Sequence, residues 1–146
     1  MGVAIGLALV LFGLCGLIHF WTMMTVLNHL KRRKYSALKR MLIAFYSAGL
    51  AHLFEAGLYA LGFIFGRSLG IGKFETGGGA LDFMEVYYFS VVNYTSLGLG
   101  DIYPTGHLRF LSGVESLNGF LLISCSAALL FMVMTDAGKS QKTWNE

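Results

Sequence analysis

A single proline, Pro104, and two cysteines, Cys15 and Cys125, are all that this chain of 146 residues holds of those two residue types. Neither cysteine has the spacing of a metal site. Both fall in apolar stretches, where a thiol serves as a small packing or membrane-facing group. Charge is scarce too: 13% of the residues are Asp, Glu, Lys or Arg, against 55% that are hydrophobic. The sequence pI of about 9.0 invites a nucleic-acid reading. Placement argues against it, because six of the eleven basic residues (Lys31, Arg32, Arg33, Lys34, Lys39, Arg40) crowd into one short segment between apolar runs. Such a segment marks a cytoplasmic loop, and no nucleic-acid partner is expected. Regularly spaced arginines are missing from the first two apolar runs, so no voltage sensor is expected. No internal repeat is visible, and the tail after Thr135 is too short for a nucleotide- or ion-binding regulatory domain.

What is present is apolar length. The mean hydropathy is +0.63, and three runs exceed the ~20 residues that cross a bilayer. Residues 2–29 carry Gly6, Gly13 and Gly16, small residues that let helices approach closely in lipid. This run lacks a basic stretch before it, and its charges follow it, so it reads as a membrane helix and not as a signal peptide. Residues 41–66 form the second span and residues 108–135 the third. With the basic segment inside, together with Lys139 and Lys142, only Arg67, Lys73 and Arg109 fall outside. The N-terminus is then external and the C-terminus cytoplasmic.

Between the second and third spans, residues 67–81 are rich in glycine (Gly70, Gly72, Gly77, Gly78, Gly79) and read as a flexible external loop. Asp82 is placed to cap a short helix, with Glu85 at the third helical position, close to a capping box. That helix runs to about Tyr94, and its C-terminal dipole end favours a cation. Then comes the stretch around which the chain is organised, residues 89–104. It begins apolar and aromatic, breaks at Gly98 and Gly100, and stops at Asp101 just before Pro104. Irregular backbone is tolerated at membrane depth only where protein buries it or it lines a wet cavity. Gly98 and Gly100 take positive φ without strain. With ordinary φ between them, successive carbonyls turn toward one axis and can replace the water shell of a monovalent cation. A phosphate-cradling loop is the alternative, but no strand precedes the glycines and no Lys follows within the loop.

The segment Thr95-Ser96-Leu97-Gly98-Leu99-Gly100-Asp101 resembles the potassium-channel signature Thr-Thr-Val-Gly-Tyr-Gly-Asp. Tyr88-Phe89-Ser90-Val91-Val92 is similar to that family's pore helices, and Ile102-Tyr103-Pro104 fits its usual exit. The resemblance spans residues 82–131, the pore module of bacterial two-helix potassium channels. Together with the three apolar runs, it implies an all-α membrane protein with three transmembrane helices, a re-entrant pore helix and a selectivity-filter loop. Residues 1–30 would be an extra N-terminal helix, 31–40 a basic cytoplasmic loop, 41–135 the pore module and 136–146 a cytoplasmic tail. One pore loop supplies a quarter of a carbonyl ring, so the expected partner is the chain itself, as a homotetramer in the plasma (inner) membrane. Potassium would be the permeant ion, with membrane lipid around the assembly, no organic cofactor and no enzymatic step.

Under this resemblance the carbonyls of Ser96, Leu97, Gly98 and Leu99 would form the stacked ion sites, following Thr95. The Ser96 hydroxyl would stand at the inner end, where Thr is usual. Gly100 and Asp101 would shape the outer mouth, Asp101 doubling as a loop cap. Two departures stand out. Leu99 replaces the usual Tyr or Phe, keeping an apolar contact and losing a hydrogen bond worth roughly 1 kcal/mol per subunit. A weakly selective monovalent cation channel is therefore the near alternative, and a non-conducting pore-like scaffold the distant one. Val92 stands where some relatives carry a Glu. Asn93 and Glu115 are expected to support the filter. Glu115 would bond backbone amides there or, on a plainer reading, snorkel to the surface. Glu115 and Gly119 resemble a Glu-x-x-x-Gly pattern, with Gly119 a hinge or a close-packing site. Ile123, Ala127 and Phe131 follow at helical spacing as cavity and gate positions. His52 and Glu55 share a helix face, at a depth matching His19. This intramembrane polar cluster is expected to dock the first helix on the outer face of the second, or to sense protons.

Overall fold

The structure, a computed structural model, describes residues 1–76 and 81–142, with side chains described as far as Asp136. Gly77, Gly78 and Gly79 of the glycine-rich loop, and the side chains of Lys139 and Lys142, lie outside the described residues. The elements in chain order are α1 (Gly2–Arg32), α2 (Ala37–Ser68), β1 (Phe74–Thr76), α3 (Phe83–Tyr94), β2 (Ile102–Pro104) and α4 (Leu108–Lys142). Three helices, Gly2–Arg32, Ala37–Ser68 and the Leu108–Asp136 part of α4, are long and apolar enough to cross a membrane.

The helices run further than their apolar content. The expected basic loop of residues 31–40 shrinks to residues 33–36, because Lys31 and Arg32 complete the last turn of α1. Lys and Arg are good helix formers, and positive charge suits a helix C-terminus. Ser36 then caps α2 by accepting the Lys39 amide at 3.5 Å. At the other end α4 passes Thr135 without a break, so the expected tail starts as helix.

Residues 69–76, between α2 and α3, are not a free loop. β1 pairs antiparallel with β2, in the register Phe74↔Pro104, Glu75↔Tyr103 and Thr76↔Ile102. The cause is Phe74, which meets Phe63 and Phe89 edge-on with centroids 5.5 and 5.1 Å away. That aromatic trio holds β1 over the end of the bundle where α2 finishes. The amides of Thr105 and His107 complete the closure by donating to the carbonyls of Lys73 and Ile71, at 2.7 and 2.8 Å. Gly72 is required there, since a Cβ on it would run into the Thr105 carbonyl.

Helix α1 lies against both α2 and α4, not on the outer face of α2 alone. One core gathers Ala8, Leu11 and Cys15 of α1 with Tyr59, Ala60 and Phe63 of α2, Phe89 and Tyr94 of α3, and Leu111 of α4. A second core, toward the α1–α2 turn, joins Met23, Val26 and Leu30 to Ala44, Ala48, Ala51, Leu129 and Val133. The buried alanines of α2 let the helices close up. Gly6, Gly13 and Gly16 play no such part inside the subunit, because a Cβ on any of them would meet none of its other helices. Between α1 and α2 the space is left instead by Gly62, where a Cβ would overlap the Leu11 side chain.

Candidate functional site

The site is built outward from α3. Its first turn is locked by a reciprocal capping box: Asp82 accepts the Glu85 amide at 2.9 Å, and Glu85 accepts the Asp82 amide at 3.0 Å. Its last turn closes onto the loop that follows. The Ser96 amide donates to Asn93 O at 2.9 Å and the Leu97 amide to Val92 O at 3.0 Å. The Thr95 hydroxyl covers the carbonyls of Val91 and Val92 at 3.1 and 3.0 Å. This is a Schellman closure with Ser96 in the position that glycine usually takes, at φ 59°. The carbonyls of Val91, Val92 and Asn93 at the end of α3 are thus occupied by donors of Thr95, Ser96 and Leu97.

Beyond Ser96 the backbone alternates. Gly98 has φ 59° and Gly100 φ 80°, while Leu97 and Leu99 between them stay out of the positive region. A Cβ on Gly98 or Gly100 would touch nothing, so φ alone demands glycine there. Leu97 and Leu99 are 65% and 57% exposed on the subunit. More than half of Leu99 is therefore left uncovered by its own chain. Asp101 ends the segment, accepting the Ile102 amide at 3.0 Å and the Tyr88 hydroxyl at 2.8 Å. This bond favours the protonated phenol and raises the Tyr88 pKa above its ordinary value.

Behind the loop Glu115 is fully buried. It accepts from the Ser90 hydroxyl and, at 2.5 Å, from the Asn93 amide group. Neither expectation for its surroundings holds: it bonds side chains instead of backbone amides, and it does not snorkel. Helical spacing is the reason, since Ser90 and Asn93 present one face of α3 to Glu115 on α4. Asn93 is held further by the Ser112 carbonyl at 2.9 Å and by the hydroxyls of Ser112 and Ser116 at 3.0 and 3.1 Å. Ser90, Ser112 and Ser116 escaped the sequence reading, although Ser112 and Ser116 flank Glu115 on an otherwise apolar run and could have been found from it.

Gly119 is buried against α3, and a Cβ there would overlap the Tyr94 carbonyl oxygen. It serves close packing within an uninterrupted α4. Ile123, Ala127 and Phe131 lie four residues apart and are exposed, Phe131 by 72%.

Below α3 the structure brings His19, His52 and Glu55 together. His19 Nδ1 lies 3.0 Å from Glu55 Oε1, and His52 Nδ1 lies 3.4 Å from Oε2. The two imidazoles stack at 5.0 Å between centroids. Their ligand-type atoms all fall within 4.8 Å of one another, a spacing a metal ion can use. Here, however, every one of them is engaged by a hydrogen bond. Two members were not anticipated: Tyr94, whose hydroxyl donates to Glu55 Oε2 at 2.5 Å, and Ser126, whose hydroxyl sits between the two imidazole Nε2 atoms. Nothing in the local spacing of Tyr94 or Ser126 signals these contacts.

The helical bundle and its glycine-broken loop define a class, that of polytopic helical proteins with a short helix aimed at an irregular segment. A family model described as an ion channel matches residues 41–136, well over half of the chain, and the chain belongs to that ion-channel family. A search of curated proteins and a search of solved structures each return no match. The protein is thus an integral membrane protein, with α1 lying outside the matched residues.

Proposed function

We propose that the protein is a potassium-selective channel, conducting passively at the fourfold axis of a homotetramer. The observation that carries this reading is the alternation of φ along the loop, positive at Ser96, Gly98 and Gly100 and not at Leu97 or Leu99. Alternating the sign of φ turns successive carbonyls to one side of the chain. Four such loops around an axis would make rings of oxygens that replace the hydration shell of K⁺. The carbonyls of Ser96, Leu97, Gly98 and Leu99 are the assigned ion ligands, between Thr95 on the inner side and Gly100 and Asp101 at the outer mouth. α3 is the re-entrant pore helix, supported by Asn93 and Glu115. α4 lines the inner cavity, with Ile123, Ala127 and Phe131 presenting an apolar face that can close by dewetting. The N-terminus is outside and the basic α1–α2 turn is cytoplasmic, which also places the C-terminus inside.

The test is a reversal-potential measurement in proteoliposomes with K⁺ and Na⁺ on opposite sides. A potential near the K⁺ equilibrium value supports the reading. A value near zero indicates a weakly selective cation channel, and absence of current indicates a scaffold. Gly98→Ala puts a side chain on a residue at φ 59° and is expected to abolish selective current. Normal selective current from that variant would remove the loop from the conduction path.

A further inference from the structure

Five side chains form a closed ring of hydrogen bonds in the middle of the bundle: His52 to Tyr94 at 3.1 Å, Tyr94 to Glu55 at 2.5 Å, Glu55 to His19 at 3.0 Å, His19 to Ser126 at 3.2 Å and Ser126 to His52 at 3.0 Å. Every one of the four helices contributes a member. His19 comes from α1, His52 and Glu55 from α2, Tyr94 from α3 and Ser126 from α4.

The donor count is restrictive. An imidazole, a hydroxyl, a phenol and a carboxyl group offer limited hydrogens, and each bond of the ring needs one. The ring closes when His52 Nδ1–H donates to Tyr94 and Tyr94 O–H to Glu55. His52 Nε2–H then donates to Ser126, Ser126 O–H to His19 Nε2, and His19 Nδ1–H to Glu55. Five bonds then hold five hydrogens; moving one hydrogen from His52 Nδ1 to Glu55, with Tyr94 O–H turned to His52, closes the same ring with the same count. The assembly is neutral and fully satisfied, the condition under which such groups are stable in a low-dielectric interior.

Tyr94 is the last residue of α3, directly before Thr95. Its hydroxyl belongs to the ring, and its carbonyl rests where Gly119 leaves space. The residue that opens the glycine loop is therefore held at one end by α2 and at the other by α4. We infer that Tyr94 is a positioning residue for ion selection, and that the His19–Glu55–His52–Ser126 ring sets the inner end of the filter through it. The inference rests on the potassium-channel reading of the loop. It assigns α1 a part in selection that the matched two-helix module does not contain.

Glutamine has the hydrogen-bonding pattern this ring needs: its NH₂ donates to Tyr94 and its carbonyl accepts from His19, while Tyr94 O–H turns to His52 Nδ1. Glu55→Gln keeps the ring closed, whereas Glu55→Ala and Tyr94→Phe open it. The experiment compares full-length wild type with these three variants in proteoliposomes, reading the K⁺/Na⁺ permeability ratio from reversal potentials. Opening the ring is expected to lower the ratio about tenfold in both Tyr94→Phe and Glu55→Ala. Glu55→Gln is expected to stay within about twofold of wild type, because its ring still closes. A role confined to folding would change the amount of assembled protein and leave the ratio alone. An unchanged ratio in Tyr94→Phe overturns the inference, as does a Glu55→Gln ratio as low as that of Glu55→Ala. Should Tyr94→Phe fail to assemble, Ser126→Ala opens the same ring from α4, and there an unchanged ratio overturns the inference too. A wild type without selectivity for K⁺ overturns the reading of the loop itself; a selective wild type with an indifferent Tyr94→Phe overturns only the ring's role.

Discussion

Glu55 on α2 and Glu115 on α4 are both completely buried, and both bond to side chains of α3. Their surroundings differ in reach. Glu115 is satisfied by Ser90 and Asn93, and Asn93 in turn by Ser112 and Ser116, all inside the residues that match the ion-channel family. This network ties the middle of α3 to the outer half of α4 and has no member on α1. Glu55 instead draws on His19 of α1, which lies outside the matched residues, and meets α3 at its last residue, Tyr94. The difference separates two tasks. The Glu115 network fixes how α3 lies on α4. The Glu55 ring holds the residue at which α3 ends, and of the two networks it is the one that draws on α1.

The largest effect is expected from breaking the self-contained network. Glu115→Ala leaves one Asn93 N–H without its acceptor, leaves the Ser90 hydroxyl only the Ala56 carbonyl, and opens a cavity between α3 and α4. An unsatisfied buried polar group costs about 1–3 kcal/mol, and loss of a buried network is among the most damaging single changes. Glu115→Ala should therefore yield little assembled protein, seen as loss of the oligomer peak in size-exclusion chromatography in detergent. Glu115→Gln, which retains an acceptor for Ser90 or Asn93, should recover most of it.

An intermediate effect is expected from removing the helix that the ring uses and the Glu115 network does not. Deleting residues before Asn28 takes away His19 and the apolar residues Leu11 and Cys15 that cover α2. Glu55 then loses one partner and faces lipid, where an uncompensated carboxylate is unfavourable. The truncated chain should melt at a lower temperature than full-length protein in a fluorescence thermal-shift assay. Adding Glu55→Gln to the truncation should recover part of the loss, since it removes the charge. Equal melting of truncated and full-length chains would mean that α1 lends nothing through the ring.

Much of this contrast was legible from residue spacing, and the limits of that legibility are physical. Local rules are short-range, so the capping box at Asp82 and Glu85, the pairing of His52 with Glu55 three residues on, and the glycines at 98 and 100 all declared themselves. Tyr94 and Ser126 did not. Tyr94 meets Glu55 across 39 residues and Ser126 meets His19 across 107, separations that no periodicity encodes. The positive φ of Ser96 was hidden for another reason, since a serine in that region carries no mark and is forced there by the closure of α3. β1 was hidden because Phe74 becomes a strand-holding residue only once Phe63 and Phe89 are beside it. The glycines of α1 misled in the opposite direction: small residues permit close packing without requiring it, and the close contacts went to alanines.

The smallest effect is expected where the loop is tied in the open. Tyr88 donates to Asp101 at 2.8 Å at the outer end of the loop, and both residues are exposed. An exposed hydrogen bond competes with water, so it stabilises far less than the buried bonds around Glu55 and Glu115. Tyr88→Phe should assemble and melt like wild type, and its permeability ratio should shift less than that of Tyr94→Phe. The bond also has a definite pH sense. Asp101 accepts from the protonated phenol, which raises the Tyr88 pKa above its ordinary value. The tie is therefore intact at all pH values below the ordinary tyrosine range near 10 and is lost as pH rises through the raised value. Wild type should approach the Tyr88→Phe permeability ratio when the external solution is made strongly alkaline, while Tyr88→Phe itself stays flat over the same interval. If the two respond to external alkali alike, Tyr88 does not hold Asp101 in the conducting state, and the outer end of the loop is set by the β1–β2 pairing alone.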